Sequence, residues 1–335
     1  MSQVLEAILQ RERTILSPLA CLSENSRGRA VSEADDAVRT AFQRDRDRII
    51  HSKAFRRLMH KTQVFLCPED DHYRTRLTHT VEVSQIARTI SRALGLNEDL
   101  TEAIALAHDL GHGAFGHAGE RVLQRCYSAD YAHNRQSVRV AEILEEMNLT
   151  YEVLDGIRGH DSDEKFPCTL EGRVVRLSDK IAYINHDLDD AIRAKIISQG
   201  DIPLELLNIL GQSHSKRIGA MVNSIIKRGV DDGAVQMEEH IHVAAFQMRN
   251  FLTENVYTSP IAKGEEGKAE RMLERLYEYF VASPNELPSS YVLRIESESV
   301  ERCVADYVAD MTDRYAMNLF GELFVPELWR GYSDR

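Results

Sequence analysis

The run AIALAHDLGHGAFGHAGE, residues 103–120, limits what this chain can become more than any other stretch. It places His108, Asp109, His112, His117 and Glu120 within thirteen positions. Ile104, Leu106 and Ala107 read as the end of a buried helix, after which Gly111, Gly113 and Gly116 loosen the backbone into a turn that can line a cavity. Adjacent residues of a helix point in different directions. His108 and Asp109 can therefore converge on one ion only if the chain turns there, and such an ion needs further ligands from elsewhere.

Helix phase supplies candidates. In LTHTVEVSQIARTISRAL the apolar residues Val83, Ile86, Ile90 and Leu94 recur at helical spacing, with His79 near the start. In GRVVRLSDKIAYINHDLDDAI one stripe is Leu177, Ile181, Ile184, Leu188 and Ile192, and a second is Asp179, Tyr183, His186 and Asp190. His79, His108, Asp109 and Asp179 make a set of two imidazoles and two carboxylates, which suits Mn, Fe, Co or Ni better than a thiolate-type zinc site or bare Mg. Four such ligands leave positions for water and an anionic oxygen. Glu120 lies three residues after His117, one helical turn away, where a carboxylate can orient an imidazole and raise its pKa.

A length of 335 residues with 43% hydrophobic content supports one large core or two smaller ones. No apolar run reaches the ~18–20 residues of a membrane span and MSQVLEAILQRER carries no signal-peptide pattern, so the expectation is a cytoplasmic protein without a membrane partner. Cys21, Cys67, Cys126, Cys168 and Cys303 form no C-x-x-C pair, which predicts reduced, structural thiols. A net charge of −12 argues against indiscriminate nucleic-acid coating and leaves nucleic acid a partner that charge does not indicate. The cluster Arg44, Arg46, Arg48, Lys53, Arg56, Arg57 and Lys61 reads as a solvated basic helix face, or as a surface for phosphates or a neighbouring subunit.

In chain order, residues 1–39 read as a polar, irregular arm that is disordered or docks on a neighbouring subunit. Residues 42–66 read as a basic helix ending in β-prone Thr62-Gln63-Val64-Phe65, and residues 134–148 as an amphipathic helix. Residues 150–172 read as mostly connector, and 200–256 as helices broken at Gly211 and Gly229–Gly233. Without a repeat or an alternating strand series, the expected fold is all-α, or mainly α, with at most a small β-hairpin.

Seven blocks then share one resemblance: QRDRDRIIHSKAFRRLMHKTQVF (43–65), RTRLTH (74–79), HDLGHGAFGHAGE (108–120), HNRQS (133–137), LSDKIAYINHDLDD (177–190), MRNFLTENVY (248–257) and ADMTDRYA (309–316). In this order they resemble the bacterial deoxyguanosinetriphosphate triphosphohydrolase-like proteins of the HD-domain phosphohydrolase superfamily. The resemblance implies an HD-type helical core over residues 40–260, preceded by the arm at 1–39 and followed by a C-terminal helical region, 261–335, packed on it. It implies metal-dependent hydrolysis of deoxynucleoside triphosphates to deoxynucleoside and tripolyphosphate, with Mg arriving on the triphosphate, and a homo-oligomer.

By the same resemblance His79, His108, Asp109 and Asp179 hold the transition metal. His117 with Glu120 is the acid–base pair, and His112 and His133 lie near the α-phosphate. Arg76 would meet the α-phosphate, and Lys180, Tyr183 and Arg249 the outer phosphates. Gln63 and Asp187 would bond the sugar 3′-hydroxyl, Val64 would pack on the sugar, and Tyr257 would lie where a 2′-hydroxyl would be. Asn134 follows His133 where vertebrate relatives with a sterile-alpha-motif domain have Glu, and His51 and Met59 replace their residues for an activating guanine nucleotide. That activation does not carry over. Guanosine-tetraphosphate hydrolases place an acidic pair shortly after the His-Asp, where this chain has Leu110-Gly111-His112, and cyclic-dinucleotide phosphodiesterases add a G-Y-P that is not present. Another HD hydrolase, or a nucleotide-binding regulator without turnover, is the alternative reading; base preference is not legible.

Overall fold

The computed structural model describes residues 2–63, 73–162, 165–231, 233–258 and 260–326, with side chains of the last segment from residue 264 onward. Val64, expected at the sugar edge, lies outside the described residues. The helices in chain order are α1 (Gln3–Ile15), α2 (Ala41–His51), α3 (Lys53–Arg57), α4 (Arg76–Leu94), α5 (Glu98–Ala107), α6 (His117–Cys126), α7 (His133–Arg139) and α8 (Tyr151–Gly159). They continue as α9 (Leu170–Arg193), α10 (Leu204–Leu210), α11 (His214–Arg228), α12 (Glu239–Leu252), α13 (Pro260–Ala282), α14 (Ser289–Val292), α15 (Val300–Asp310) and α16 (Asp313–Phe324). The strands β1 (Val230–Asp231) and β2 (Ala234–Val235) form one antiparallel hairpin with Val230 opposite Val235. The fold is thus mainly α with a small hairpin, and that hairpin falls at the glycine break expected between two helices.

Caps written in the sequence set the helix starts that matter here. Thr75 accepts from Thr78 N and begins α4, so His79 falls in its first turns. Asn97 accepts from Asp99 N and Leu100 N to start α5, and Gly95 in the left-handed region ends α4 two residues earlier. Two apolar cores result. The larger gathers Ile86 and Ile90 of α4, Leu100 and Ile104 of α5, Val153 and Ile157 of α8, Ile181 and Leu188 of α9, and the inner faces of α2 and α10–α12. The smaller joins Val122 and Leu123 of α6 to Leu273, Leu276 and Phe280 of α13, and to Cys303, Val304 and Val308 of α15. Between them, buried Asp306 accepts from Gln136 Nε2 (2.8 Å) and from Arg139 Nε (2.9 Å), tying α7 to α15.

Four expectations change. The N-terminal arm contains a helix, α1, whose Leu5 and Leu9 are buried, and the rest of the arm docks on its own chain: Cys21 N donates to Glu171 (3.0 Å) and Arg29 pairs with buried Asp45. The basic segment is two helices broken at Ser52, which caps the second by accepting from Phe55 N (3.0 Å). Much of its charge is neutralised internally: Arg44 and Arg48 both reach Glu33, Arg46 reaches Glu102 (3.4 Å), and Arg57 reaches Asp310 (2.8 Å). The connector contains α8, which packs against α5 because Gly156 presents no Cβ; one added there would lie 2.5 Å from Ile104 Cδ1. The helix at 134–148 instead ends α7 at Arg139, passes through a wide π-type turn over Val140–Leu144, and stops.

Candidate active site

The helix ends α4, α5, α8 and the middle of α9 meet where the larger core gives way to polar side chains. His108 follows the last residue of α5, and its Nδ1–H donates to Ala105 O at 2.7 Å. That bond leaves Nε2 as a lone pair, buried and without a protein partner. Nε2 lies 3.5 Å from Asp109 Oδ2 and 3.8 Å from Asp179 Oδ1, and Asp179 Oδ1 is in turn 3.1 Å from His79 Nε2. Nitrogens and oxygens from three separate stretches of the chain thus face one point, with a buried unpaired imidazole nitrogen among them. This donor set fits a divalent transition metal.

Asp109 is buried, and its Oδ2 accepts from Arg76 Nη1 at 2.5 Å while Arg76 Nη2 donates to Thr62 O at 3.2 Å. Burial alone would raise the carboxyl pKa, but His108, Arg76, His112 and His133 around it hold it well below the usual range. The turn after Asp109 is braced from three sides. Gly111 N donates to Ser137 Oγ (2.8 Å), whose own hydroxyl donates to His108 O (2.8 Å). No side chain fits at Gly111, where a Cβ would lie 2.1 Å from Ser137 N. Buried Lys61 donates to His112 O and to Ala309 O (3.0 Å), and Phe115 N donates to Asp313 Oδ1 (2.8 Å). Phe115 and Gly116 both take positive φ, 59° and 56°, just before His117 opens α6. Phe115 is the costly one, held in place by that contact from the C-terminal helices.

Beyond the turn, His117 Nδ1 is 3.2 Å from Glu120 Oε2 and His133 Nδ1 is 3.1 Å from Glu120 Oε1. Burial would raise the Glu120 carboxyl, but the hydrogen bonds to His117 and His133 outweigh it and keep it ionised far below its ordinary range. His133 is likewise opposed by burial yet driven up to about 9 by Glu120. His112 stacks on His133 with ring centres 4.1 Å apart, and its Nδ1 is buried without a partner. His117 differs from the rest: its side chain is 69% exposed, free to meet an incoming molecule.

A third group lies along α9 and the π-type turn Thr253–Tyr257 that extends α12. Tyr257 donates its hydroxyl to Asp187 Oδ2, while Asp187 Oδ1 is buried and unpaired, and burial pushes this carboxyl up to about 7. Tyr183 and Lys180 are half-buried on α9, and Arg249 is exposed on α12. Burial raises the Tyr183 phenol against the pull of the nearby Arg249 charge. Gln63 Oε1 is buried without a partner. Gln63, Arg76, His108, His112 and Asp187 thus each carry a buried polar atom that no protein group satisfies. In a native fold such atoms call for a bound partner.

Two histidines at the site are not among the candidates that the sequence offers. His160, in the segment expected to be connector, ends α8 and is buried with its ring 4.9 Å from that of His108. Its signal is a second His-Asp dipeptide, His160-Asp161, placed after an apolar helix end just as the first is. His186, present on the polar stripe of α9 but given no role, sits behind His79 with 3.5 Å between the two Nδ1 atoms and 3.2 Å from its Nε2 to Glu82.

Comparison with known proteins now assigns the class. Residues 76–184, which span every candidate metal ligand, match the HD domain, and residues 235–322 match the phosphohydrolase-associated domain. The protein is a hydrolase of the HD phosphohydrolase class. It is 54% identical over 98% of this chain, and 97% of the relative, to a deoxyguanosinetriphosphate triphosphohydrolase-like protein of Caldanaerobacter subterraneus subsp. tengcongensis. It is 46% identical over 96% of this chain, and 98% of the relative, to one of Desulfatibacillum aliphaticivorans. The chain belongs to the deoxyguanosinetriphosphate triphosphohydrolase-like family. A crystal structure of a hypothetical protein from Aquifex aeolicus is similar over 84% of this chain and 68% of that one, at TM-score 0.48 and 21% identity. Among the described residues, no helix is long and apolar enough to cross a membrane.

Proposed function

We propose that the protein hydrolyses deoxynucleoside triphosphates to deoxynucleoside and tripolyphosphate, using a divalent transition metal held by His79, His108, Asp109 and Asp179. The observation that carries the reading is the adjacency of that N/O cluster to the Glu120-linked imidazoles His117 and His133. The relatives' names supply the substrate class. When bound, the metal lowers the pKa of a water and offsets phosphate charge. Attack on the α-phosphorus breaks its bond to the 5′-oxygen, and that alkoxide needs a proton, which exposed His117 is placed to give while Glu120 holds its imidazole. His112 and His133 face the α-phosphate. Arg76 lies deepest and offers the α-phosphate a fixed cation, with Lys180, Tyr183 and Arg249 along the outer phosphates and Mg accompanying them.

Asp187 Oδ1, which otherwise lacks a partner, accepts from the 3′-hydroxyl, and the side-chain amide of Gln63 donates to the same hydroxyl oxygen. The Tyr257 ring, tied to Asp187, stands where a 2′-hydroxyl would have to be buried unpaired, at about 1–3 kcal/mol. The expectation is at least ~10²-fold preference for dGTP, or the best deoxynucleotide, over its ribose counterpart in kcat/KM, narrowing in Tyr257→Ala. Metal-loaded protein incubated with each deoxynucleotide and assayed for tripolyphosphate tests the reaction. Release of pyrophosphate or orthophosphate instead would point to another HD hydrolase, and binding without turnover to a regulator. The same reading makes the protein a cytoplasmic homo-oligomer, for which light scattering on the purified protein is the check.

A further inference from the structure

Helices α4 and α9 set two pairs of polar residues against each other. Glu82 stands three residues after His79 on α4, and His186 seven after Asp179 on α9, so each pair keeps to one helix face. The His79 ring reaches both members of the α9 pair. Its Nε2 is 3.1 Å from Asp179 Oδ1, and its Nδ1 is 3.5 Å from His186 Nδ1. His186 is buried, with its ring edge-on to that of His79 at 90° and nearly parallel, at 19°, to that of His214.

Proton placement follows from these contacts. A neutral imidazole carries one N–H and one lone pair. His79 Nε2 can hold a metal only as a lone pair, which puts the ring proton on Nδ1, against His186. Nδ1 of His186 must then be the acceptor, so the His186 proton sits on Nε2. That nitrogen is buried and 3.2 Å from Glu82 Oε2, in contact though not in line for a hydrogen bond. Glu82 is held in turn by Arg74, whose Nε donates to the same oxygen at 3.1 Å and whose Nη1 donates to Asp190 at 2.8 Å. A carboxylate there favours the Nε2–H form of His186. The other tautomer would set two N–H groups against each other. His108 hands its Nδ1–H to a backbone carbonyl, which no substitution removes. The partner of His79 is a side chain, so its role can be tested by replacement.

We propose that His186, backed by Glu82, is a positioning residue that fixes the tautomer and orientation of His79, so that His79 presents Nε2 as a lone pair to a divalent ion. Outer hydrogen bonds of this kind orient metal-binding histidines and make them better ligands. His186 acts through His79 and supplies no ligand atom of its own. The proposal rests on the reading of His79 as a metal ligand, and no substrate is needed to test it.

Purified full-length protein is stripped with chelator and titrated with Mn(II), the free ion being read by electron paramagnetic resonance. His186→Leu removes the acceptor and should weaken Mn(II) binding roughly 10–100-fold, the usual cost of losing an outer partner of a ligating histidine. His186→Asn returns an acceptor oxygen close to the place of Nδ1 and should recover most of that loss, which a packing defect would not. Proton–nitrogen correlation spectra of the Zn(II)-loaded wild type should show His79 protonated at Nδ1 and His186 at Nε2, a readout that survives if a variant fails to fold. His186 protonated at Nδ1 would overturn the proposal. So would unchanged affinity in folded His186→Leu, or equal losses in the Leu and Asn variants, and the metal site itself would stand in each case. No Mn(II) binding by the wild type would remove the metal site, and the role of His186 with it.

Discussion

Two helices of this protein end in the same dipeptide, and the comparison separates what a sequence motif specifies from what its surroundings add. His108 closes α5 and His160 closes α8; each is buried, and each hands its Nδ1–H to the carbonyl three residues back at 2.7 Å. Local helix geometry alone produces this half of the motif, aiming both Nε2 atoms past the helix end. The aspartates then diverge. The Asp109 side chain is 5% exposed, locked to Arg76 and facing four imidazoles, whereas that of Asp161 is 55% exposed. The residues C-terminal to each dipeptide decide this. Leu110-Gly111 turns the chain inward against α7, where Ser137 takes Gly111 N and gives to His108 O, while on the C-terminal side of Asp161 both Lys165 and Phe166 are exposed.

The largest effect should separate the two carboxylates. Asp109→Ala removes a buried carboxylate from the proposed metal cluster and should abolish both metal retention and turnover, while Asp161→Ala should keep the metal. Elemental analysis of both variants decides it, and full metal content in Asp109→Ala would end the distinction. His79→Ala should behave as Asp109→Ala does. Next in size is His117→Ala, on the helix to which only the first dipeptide's loop leads. It should retain metal and substrate binding but lower kcat by roughly 10²–10⁴, the usual contribution of a general acid–base group. A rise in KM with kcat unchanged would make His117 a binding residue and shift the proton to another source.

The contrast between the two dipeptides also explains how far the sequence can be read. His79 and Asp179 are legible because each stands at a fixed phase of a strongly periodic helix, and His108-Asp109 because the pair follows an apolar helix end and precedes three glycines, while α9 shows two ordered stripes, one apolar and one polar. His160 is not, because α8 is only nine residues long and carries Gly156 and Gly159, which read as loop. Those glycines serve close packing: a Cβ at Gly159 would meet Pro167 at 2.8 Å. Helix α1 escapes for a similar reason, since its buried face is narrow, with only Leu5 and Leu9 fully covered. The basic cluster misleads because partners such as Asp310 lie some 250 positions away from Arg57, beyond any local pattern. Nothing in the sequence marks Lys61 or Asp313 as braces, although both sit inside the blocks that carry the resemblance.

A smaller effect should come from loosening the brace that only the first dipeptide has. Ser137→Ala leaves Gly111 N buried without its acceptor and should destabilise the fold by about 1–3 kcal/mol. It should also weaken metal binding by roughly tenfold, at the low end for outer-shell partners of a metal site. Denaturation and metal titration of the same variant measure the two. Unchanged metal affinity would show that the His108-Asp109 turn holds its shape without help from α7.

The smallest expected effect concerns the other brace. Lys61 is buried, donating to His112 O beyond the first dipeptide and to Ala309 O at the end of α15, so it joins the turn after His108-Asp109 to the smaller core. Burial first, and Arg57 second, push its pKa down to about 7 from 10.5, with Asp310 and Asp313 pulling the other way. The unfolded chain keeps that proton up to the ordinary lysine range, while the folded chain releases it near 7. Between these values the unfolded state binds more protons, so the contribution of Lys61 to stability rises with pH across that window and is fully lost below it. In Lys61→Met the dependence disappears. Unfolding free energies of the two proteins at pH 7, 8 and 9 should therefore diverge, the wild type gaining on the variant by at most about 1.4 kcal/mol per pH unit. Parallel curves would mean that Lys61 stays charged in the fold, balanced by Asp310 and Asp313, and that the turn after the first dipeptide is held by an ammonium ion at every pH tested.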